Sequence, residues 1–141
     1  MADDRLIFLL SRAHHKLQNH IKERLAAAGV RLTVAQAGIL FLLKHFDGRT
    51  MTELSGALST DNSAVTGLVD RLEKLGFIVR RPCPKDRRVY RIHITPEGIQ
   101  EVNKAKDVIR AVNKEIKEGF SPEEIDVFRA VLNEIFTKFS K

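Results

Sequence analysis

Apolar side chains recur at intervals of three and four residues in six separate stretches of the chain, which is the spacing of amphipathic α-helices. Residue types typical of helix ends bound the same stretches, including the capping-box pairs Thr33 with Gln36 and Ser121 with Glu124. The pattern predicts helices over residues 5–28, 33–46, 50–58, 61–76 and 95–118, and a sixth that begins at residue 121. The chain is therefore predicted to be mainly α.

A short β region lies between the fourth and fifth predicted helices. Residues 77–81 and 88–94 have the β-branched and aromatic composition of strands, and apolar side chains alternate along the second. Pro82 and Pro84 are expected to interrupt the pairing, because proline has no amide proton to donate. The sequence predicts a small β-hairpin with an irregular, basic tip.

Two helices joined by a short turn precede this hairpin. Residues 50–58 form a short helix, Ser59-Thr60 a turn, and residues 61–76 a longer helix, which is the order of a helix-turn-helix. The longer helix is predicted to bury Val65, Leu68, Val69, Leu72 and Leu75. Its other side carries Asn62, Ser63, Thr66, Gly67, Asp70, Arg71 and Lys74. Small polar residues at this position suit a major groove, although an ordinary solvated helix face would have the same composition.

Positive charge is concentrated in this helix and hairpin. Eight Lys or Arg and two acids lie between Arg71 and Arg91, so the net charge there is +6 (8 − 2); this equals the +6 of the whole chain, and the remainder sums to zero. A local positive stripe is typical of nucleic-acid-binding surfaces. A solvated basic surface is the alternative, but a charged hairpin directly after a helix favours nucleic acid. Arginines at the hairpin tip would suit a minor groove, whose negative potential attracts them.

The helices at the two ends of the chain carry apolar faces that need a covering surface. The first has Leu6, Leu10, Ala13, Leu17, Ile21 and Leu25, and the sixth has Ile125, Phe128, Val131, Leu132, Ile135, Phe136 and Phe139. Terminal helices fray unless they are docked. Two arrangements remain open: an interface shared by two copies of the chain, or packing onto the core of the chain itself.

Composition argues against several other classes of protein. With one cysteine in 141 residues, no internal disulfide can form, and a reducing cytoplasm is expected. The longest apolar runs, Ile39–Leu43 and the equally long Leu6–Leu10, are far shorter than the ~20 residues of a membrane span. The histidines lack metal-ligand spacing, so no metal or cofactor is predicted. No phosphate-binding glycine loop or nucleophile motif is present, so no enzymatic activity is predicted.

Four segments match a known pattern, and their order along the chain matches as well. The segment DRR at 86–88, followed by a β segment and by ITPEG at 94–98, is similar to an Asp-x-Arg wing signature and a Leu-Thr-x-x-Gly motif, with Ile in place of Leu. The segment LVDRLEKLG at 68–76 is similar to the end of a recognition helix. Leu32, Thr33, Gln36 and Leu40 match the start of a second helix. Together, over essentially the whole chain, these segments resemble the MarR family of bacterial transcriptional regulators.

The resemblance implies a homodimeric winged helix-turn-helix protein. Residues 1–30 and 96–141 would form the dimerisation helices, and residues 31–95 the DNA-binding lobe. The implied function is sequence-specific binding of double-stranded DNA at a pseudo-palindromic operator, most often as a repressor. Many members release DNA when a small molecule enters the cleft between the dimer and the DNA-binding lobes, but the sequence does not identify such an effector. An alternative function is a protein-interaction module whose basic wing binds an acidic protein partner.

Position, charge and resemblance give the candidate DNA-contacting residues Asn62, Ser63, Thr66, Gly67, Arg71, Lys74, Lys85, Arg87 and Arg88. Arg88 matches the family's wing arginine that reaches the minor groove, and Asp86 matches the acid that braces the wing.

Two other groups of side chains are candidate functional sites. His14 or His15 would line an effector pocket under the first helix, although a solvent or dimer-interface hydrogen bond is favoured for both. Cys83 is expected to be exposed at the wing tip, where nearby arginines would lower its pKa. In the redox-sensing branch of the family the sensing cysteine lies on the first helix, which has none here, so an incidental loop cysteine is favoured.

Overall fold

A computed structural model describes residues 4–58 and 61–140 of the chain. In this part of the chain the elements are α1 (Leu6–Ala27), α2 (Val34–His45), β1 (Arg49–Thr50), α3 (Met51–Leu58), α4 (Asn62–Lys74), β2 (Ile78–Cys83), β3 (Asp86–Ile94), α5 (Pro96–Lys117) and α6 (Pro122–Phe139). The predicted fold class, mainly α with a β wing, is confirmed. The turn predicted at Ser59 and Thr60 lies outside the described residues. None of the described helices is long and apolar enough to cross a membrane.

Side chains at the predicted helix starts satisfy the first backbone amides. At α2, Thr33 Oγ1 accepts from the amide of Gln36 at 3.2 Å, and Gln36 Oε1 accepts from the amide of Thr33 at 2.9 Å. Ser121 and Glu124 form the same reciprocal pair at α6. The Asp61 carboxylate accepts the amide of the third residue of α4 at 2.8 Å. Each such cap typically stabilises a protein by about 1 kcal/mol. The residues that form these caps stand directly at the helix starts, so the sequence alone predicts where these helices begin.

The β region is a three-stranded antiparallel sheet in the order β1-β3-β2, not a two-stranded hairpin. The additional strand, β1, has only two residues: Arg49 pairs with Ile92, and Thr50 pairs with Arg91. Two residues are too few to show an alternation of apolar and polar side chains, so sequence pattern could not reveal this strand. It joins the wing, defined here as residues 78–94, to the helix-turn-helix.

The irregular tip predicted around Pro82 and Pro84 is present, but the pairing becomes irregular after Pro82 rather than at it. Pro82 pairs with Tyr90, and β2 continues to Cys83, leaving a two-residue turn at Pro84 and Lys85. Because β3 lies in the middle of the sheet, β2 is an edge strand, where proline can be accommodated on the unpaired side. A register shift between Pro82 and Cys83 adjusts the strand to the turn.

The chain divides into two compact units, one ending at Val108 and the other beginning at Ile109. The core of the first unit is built from α2, α3, α4, the sheet and the first part of α5. Its largest fully buried side chains include Ile39, Leu40, Leu43, Leu54, Val65, Val69, Leu72, Phe77, Ile78 and Ile92. The prediction that Leu75 belongs to this core was wrong: the side chain is 37% exposed at the end of α4.

The helix α6, in the second unit, has no buried residue. Seven of its large apolar side chains are 38–72% exposed: Val127, Phe128, Val131, Leu132, Ile135, Phe136 and Phe139. In the first unit, α1 buries only Leu25. Its N-terminal turns expose Leu6, Ile7, Phe8 and Leu10 by 46–87%.

Candidate nucleic-acid interface

The helix α4 has one buried face and one exposed face, as its sequence predicts. Val65, Val69 and Leu72 are fully buried, and Leu68 packs partly against the core. All six candidate contacts on this helix are exposed: Asn62, Ser63, Thr66, Gly67, Arg71 and Lys74. With 3.6 residues per turn, the buried face fixes the direction in which the polar residues point.

Two of these polar residues are already oriented by hydrogen bonds. The Ser55 hydroxyl of α3 donates to Asn62 Oδ1 at 2.5 Å, which ties the first turn of α4 to α3. The two donors of the Asn62 amide remain for another partner. The Thr66 hydroxyl donates to the Asn62 carbonyl at 2.7 Å, so its oxygen can still accept a hydrogen bond.

The wing tip presents three exposed basic residues, Lys85, Arg87 and Arg88. Asp86 Oδ1 accepts from the amide of Arg88 at 3.1 Å and from its Nε at 3.2 Å. The Arg88 side chain is nevertheless 91% exposed. Its guanidinium and then its amide lower the pKa of Asp86, so Asp86 is held as a carboxylate beside the arginine that the resemblance places in the minor groove.

The expectation of an exposed Cys83 was wrong, since this cysteine is buried within the described structure. The pKa of its thiol is lowered, first by the backbone amides of Lys85 and Asp86 and then by the side chain of Arg91. The direction agrees with the prediction, but the main cause is the tight turn rather than the charge of the arginines.

An ion-pair cluster between β2 and α4 was missed by sequence reasoning. Arg80 of β2 forms a salt bridge with Asp70 of α4, and its Nε lies 3.7 Å from Glu73 Oε1. The charge pattern of the sequence includes Arg80 in the positive stripe and indicates no ion-pair partner for it. Residues ten positions apart on a helix and a strand have no spacing rule that would reveal the pair.

The base of the wing is attached to the loop after α2. Asp47 Oδ1 accepts from the amide of Ile94 at 2.8 Å, and Asp47 Oδ2 lies 3.1 Å from His93 Nδ1. Arg91 Nη1 donates to the Gly48 carbonyl at 2.8 Å. These contacts and the β1–β3 pairing fix the wing relative to α2 and α3.

Hydrogen bonds from the ITPEG segment, residues 94–98, connect the end of the wing to the end of α4. The Thr95 hydroxyl donates to the Gly76 carbonyl at 2.7 Å, and the Thr95 amide donates to the Phe77 carbonyl at 3.0 Å. Gly98 lies so close that a Cβ there would be 2.3 Å from the Phe77 carbonyl oxygen. Gly76 itself has φ +81°, a conformation that glycine adopts without strain. These contacts and conformations explain why threonine occurs at position 95 and glycine at positions 76 and 98.

A cleft of about 510 Å³ lies in the first unit beside α1, α2 and the end of α4. Its apolar lining includes Leu25, Val30, Leu32 and Leu75. Lys22, Arg31 and Arg71 supply positive charge, and no acid is among the described residues that line it.

The histidine candidates lie elsewhere on α1. His14 and His15 are exposed and are not among the residues that line the cleft, and His15 Nε2 lies 3.3 Å from Asn19. Within residues 4–58 and 61–140, no group of three or more His, Cys, Asp or Glu could hold a metal ion.

An Arg31 contact joins the wall of the cleft to the start of β2. The Arg31 amide donates to Oε2 of the buried Glu101 at 2.5 Å, and the Arg31 guanidinium lies 5.0 Å from the centre of the Phe77 ring. Phe77 directly follows the turn at the end of α4. The cleft wall is thus in direct contact with the segment that joins α4 to the wing.

The short helix α3, the longer helix α4 with its exposed polar face, and a β wing bound to α4 define a winged helix-turn-helix. Comparison with known proteins agrees with this class. The model of the MarR family matches residues 32–90. The HTH-type transcriptional repressor YetL of Bacillus subtilis (strain 168) is 31% identical over 129 residues, covering 89% of this chain and 75% of YetL.

Solved structures show the same similarity. CouR from Rhodococcus jostii RHA1 bound to p-coumaroyl-CoA is 30% identical, with a TM-score of 0.80 and coverage of 98% of this chain and 96% of that one. CouR bound to a 23-mer DNA duplex is 27% identical, with a TM-score of 0.84 and coverage of 92% and 91%. The chain therefore belongs to the MarR family of transcriptional regulators.

Some curated relatives are matched over only part of their length. The uncharacterized HTH-type transcriptional regulator YsmB of Bacillus subtilis is 41% identical over 87 residues, and the match spans 57% of YsmB. A putative transcriptional regulatory protein for the hcr operon of Thauera aromatica is 27% identical, and the match spans 63% of its length.

Proposed function

We propose that this protein is a homodimeric transcriptional repressor that binds a pseudo-palindromic DNA operator in the cytoplasm, and that it acts by binding rather than by turnover. The observation that carries the proposal is the joint exposure of all nine candidate contacts on α4 and the wing, two elements that are linked by the Thr95–Gly76 hydrogen bond and the Arg80–Asp70 salt bridge. The similarity to YetL, a transcriptional repressor, and to CouR, which binds a DNA duplex, supports it.

The roles of the side chains follow from their positions. Asn62, Ser63 and Thr66, in the first turns of α4, would reach base edges in the major groove. Gly67 allows close approach of the backbone. The longer side chains would bind phosphates: Arg71, Lys74, Lys85 and Arg87.

Arg88 would enter the minor groove. To do so its guanidinium exchanges the Asp86 carboxylate for DNA, while its amide keeps the bond to Asp86 at 3.1 Å. Asp86 would brace the wing through that backbone bond, which does not depend on where the arginine side chain points.

The exposed apolar faces of α1 and α6 support dimerisation through residues 1–30 and 96–141, with residues 31–95 as the DNA-binding lobe. An uncovered face as extensive as that of α6 is typical of protein interfaces. Two symmetry-related lobes would contact half-sites about one helical turn, roughly 34–36 Å, apart.

The cleft in the first unit is the candidate effector site. Apolar walls with Lys22, Arg31 and Arg71, and no acid among the described lining residues, favour an apolar molecule that carries a negative charge. Arg71 is also a candidate phosphate contact, so an anion in the cleft would compete with DNA for it. CouR bound to p-coumaroyl-CoA is a precedent for an anionic ligand in a related protein.

The central experiment is selection of binding sites from a random pool of duplex DNA by the purified protein at near-physiological salt. The proposal expects an enriched palindrome with half-sites one helical turn apart. A pool without any enriched sequence, obtained with folded dimeric protein, would contradict sequence-specific recognition. It would favour instead the basic wing as a surface for an acidic protein partner.

A second experiment tests the cleft. Aromatic carboxylates would be titrated into the complex with the selected operator, using the wild-type protein and Lys22→Ala. Release of DNA from the wild type at lower ligand concentration than from the variant would support the cleft. Equal sensitivity of the two proteins would place the effector elsewhere.

A further inference from the structure

Arg80 differs from the other basic residues of the positive stripe in its surroundings. It lies on β2 opposite Ile92 of β3, and its side chain is only 29% exposed. Its guanidinium forms a salt bridge with Asp70, and its Nε lies 3.7 Å from Glu73 Oε1. That Nε is buried and forms no hydrogen bond among the described residues. The guanidinium therefore faces the α4 acids rather than solvent.

Asp70 occupies an unexpected place for an acid in a DNA-binding surface. It lies four residues after Thr66 and four residues before Lys74, so the three side chains share one face of α4. Asp70 is 51% exposed, and Glu73, one turn on, is 44% exposed. Two unpaired carboxylates at this position would repel DNA phosphates.

We propose that Arg80 is a positioning residue for DNA recognition, which neutralises Asp70 and Glu73 and holds α4 at a fixed distance from the wing without contacting DNA itself. The planar guanidinium suits this role because it can face two carboxylates at once, which a lysine ammonium does less well. This inference rests on the proposed function, since it concerns how α4 and the wing engage one DNA site together.

The competing explanation is that Arg80 binds a phosphate directly, as the charge pattern of the sequence suggested. The two explanations give opposite signs for one substitution. If Arg80 binds DNA, Asp70→Ala removes an acid that competes for Arg80 and repels phosphate, so operator binding tightens. If Arg80 positions α4, Asp70→Ala removes the acid that anchors α4 to the wing, so operator binding weakens even though the protein becomes more positive.

The experiment measures operator affinity and its salt dependence for the wild type, Asp70→Ala, Arg80→Ala and the double variant, with the full chain and the operator selected above. We expect Asp70→Ala to weaken specific binding by about three- to tenfold, a modest effect because the pair is partly exposed. The double variant should bind about as Asp70→Ala does, because both substitutions remove the same link. The salt slope of Arg80→Ala should equal that of the wild type.

Three results would overturn the proposal: tighter binding by Asp70→Ala, additive effects in the double variant, or a salt slope for Arg80→Ala lower by about one, the value for one lost phosphate contact. Arg81→Ala is the matched control, because it removes the same charge from the adjacent position of β2, for which the described residues show no ion pair. Arg80→Lys, which keeps the charge but not the planar fork, should restore only part of the affinity.

Far-ultraviolet circular dichroism and the melting temperature establish that each variant is folded. If Arg80→Ala does not fold, the sign of the Asp70→Ala effect alone decides between the two explanations. Failure of the proposed function can be distinguished from failure of the Arg80 inference. A wild-type protein that selects no operator would contradict the proposed function before any variant is compared.

Discussion

The winged part of the first unit and the helix α6 contain similar apolar side chains in opposite surroundings. In the first unit Phe77, Leu72 and Ile92 are at most 1% exposed. In α6, Phe128, Phe136 and Phe139 are 49–72% exposed, and no residue is buried. Both regions have the periodicity of amphipathic elements, so periodicity alone does not distinguish a face that packs within the chain from one that needs another molecule.

The difference separates two kinds of stability. The first unit buries enough apolar surface to hold α4 and the wing in a fixed arrangement, whereas the apolar face of α6 gains little until a second surface covers it. Under the proposed function, recognition depends on the first unit, and the spacing between two recognition helices depends on α6 and α1. Substitutions in the first unit should therefore lower folding stability or DNA recognition, whereas substitutions on the apolar face of α6 should lower dimerisation.

The largest effect is expected from Phe77→Ala. Removing a fully buried aromatic side chain should lower the free energy of unfolding by about 3–5 kcal/mol, because a cavity remains. Urea unfolding followed by circular dichroism at several protein concentrations would measure this, with Phe136→Ala as the matched variant on α6. The Phe77→Ala loss should be the same at every concentration, whereas the Phe136→Ala loss should depend on concentration. A concentration-independent loss for Phe136→Ala would remove the distinction between the two regions.

The next effect concerns assembly. Leu132→Asp combined with Ile135→Asp places two charges on the apolar face of α6 and should raise the dimer dissociation constant at least about 100-fold, or roughly 3 kcal/mol. Analytical ultracentrifugation would measure the constant, and Glu134→Ala on the same helix is the control. Helical content should stay close to that of the wild type. A doubly substituted protein that remains dimeric at wild-type concentrations would show that α6 does not form the interface.

A smaller effect is expected from Arg88→Ala on the exterior of the first unit. Loss of the minor-groove contact should weaken operator binding by roughly 1–3 kcal/mol, with no change in folding because the side chain is 91% exposed. Fluorescence anisotropy with the selected operator would measure it. Lys85→Ala should instead weaken binding to all sequences about equally. If Arg88→Ala binds the operator as tightly as the wild type, the assignment of the wing is wrong.

The smallest effect is a pH dependence at the wing tip. Because the pKa of Asp86 is lowered in the folded protein, its contribution to wing stability is present above the ordinary pKa of 3.8 and is lost as pH falls through the lower folded value. The Arg88 amide resonance should therefore shift with a midpoint below 3.8, the ordinary value, in an NMR titration. Asp86→Asn should abolish that shift. A midpoint at or above the ordinary value would mean that the contact is not made in solution.

Much of the fold could be predicted because its signals are local. The Thr33 and Ser121 capping boxes and the Asp61 cap lie within four residues of the amides that they satisfy. The apolar stripes follow the helical repeat in the same way. Exposure of the six candidate contacts on α4 also follows from sequence, since polar side chains lie opposite the buried face of this helix.

Other features depend on contacts between residues distant along the chain. The two-residue strand β1 exists because Arg49 and Thr50 meet Ile92 and Arg91, about forty residues later. Cys83 is buried at the end of β2, and the side chain of Arg91 on β3 adds to the effect of the nearby Lys85 and Asp86 amides in lowering the pKa of its thiol. No composition rule anticipates either feature.

The sequence by itself determined the helices, their caps, the positive stripe and the order of elements that places this chain in the MarR family. Each of these depends on residues within one or two helical turns, where spacing and side-chain chemistry suffice. Only the tertiary structure decided that Arg80 faces Asp70 rather than solvent. It also decided that Leu75 lies outside the core and that the apolar face of α6 is exposed. These outcomes depend on which surfaces meet in space, and burial is a property of the folded chain that local spacing does not contain.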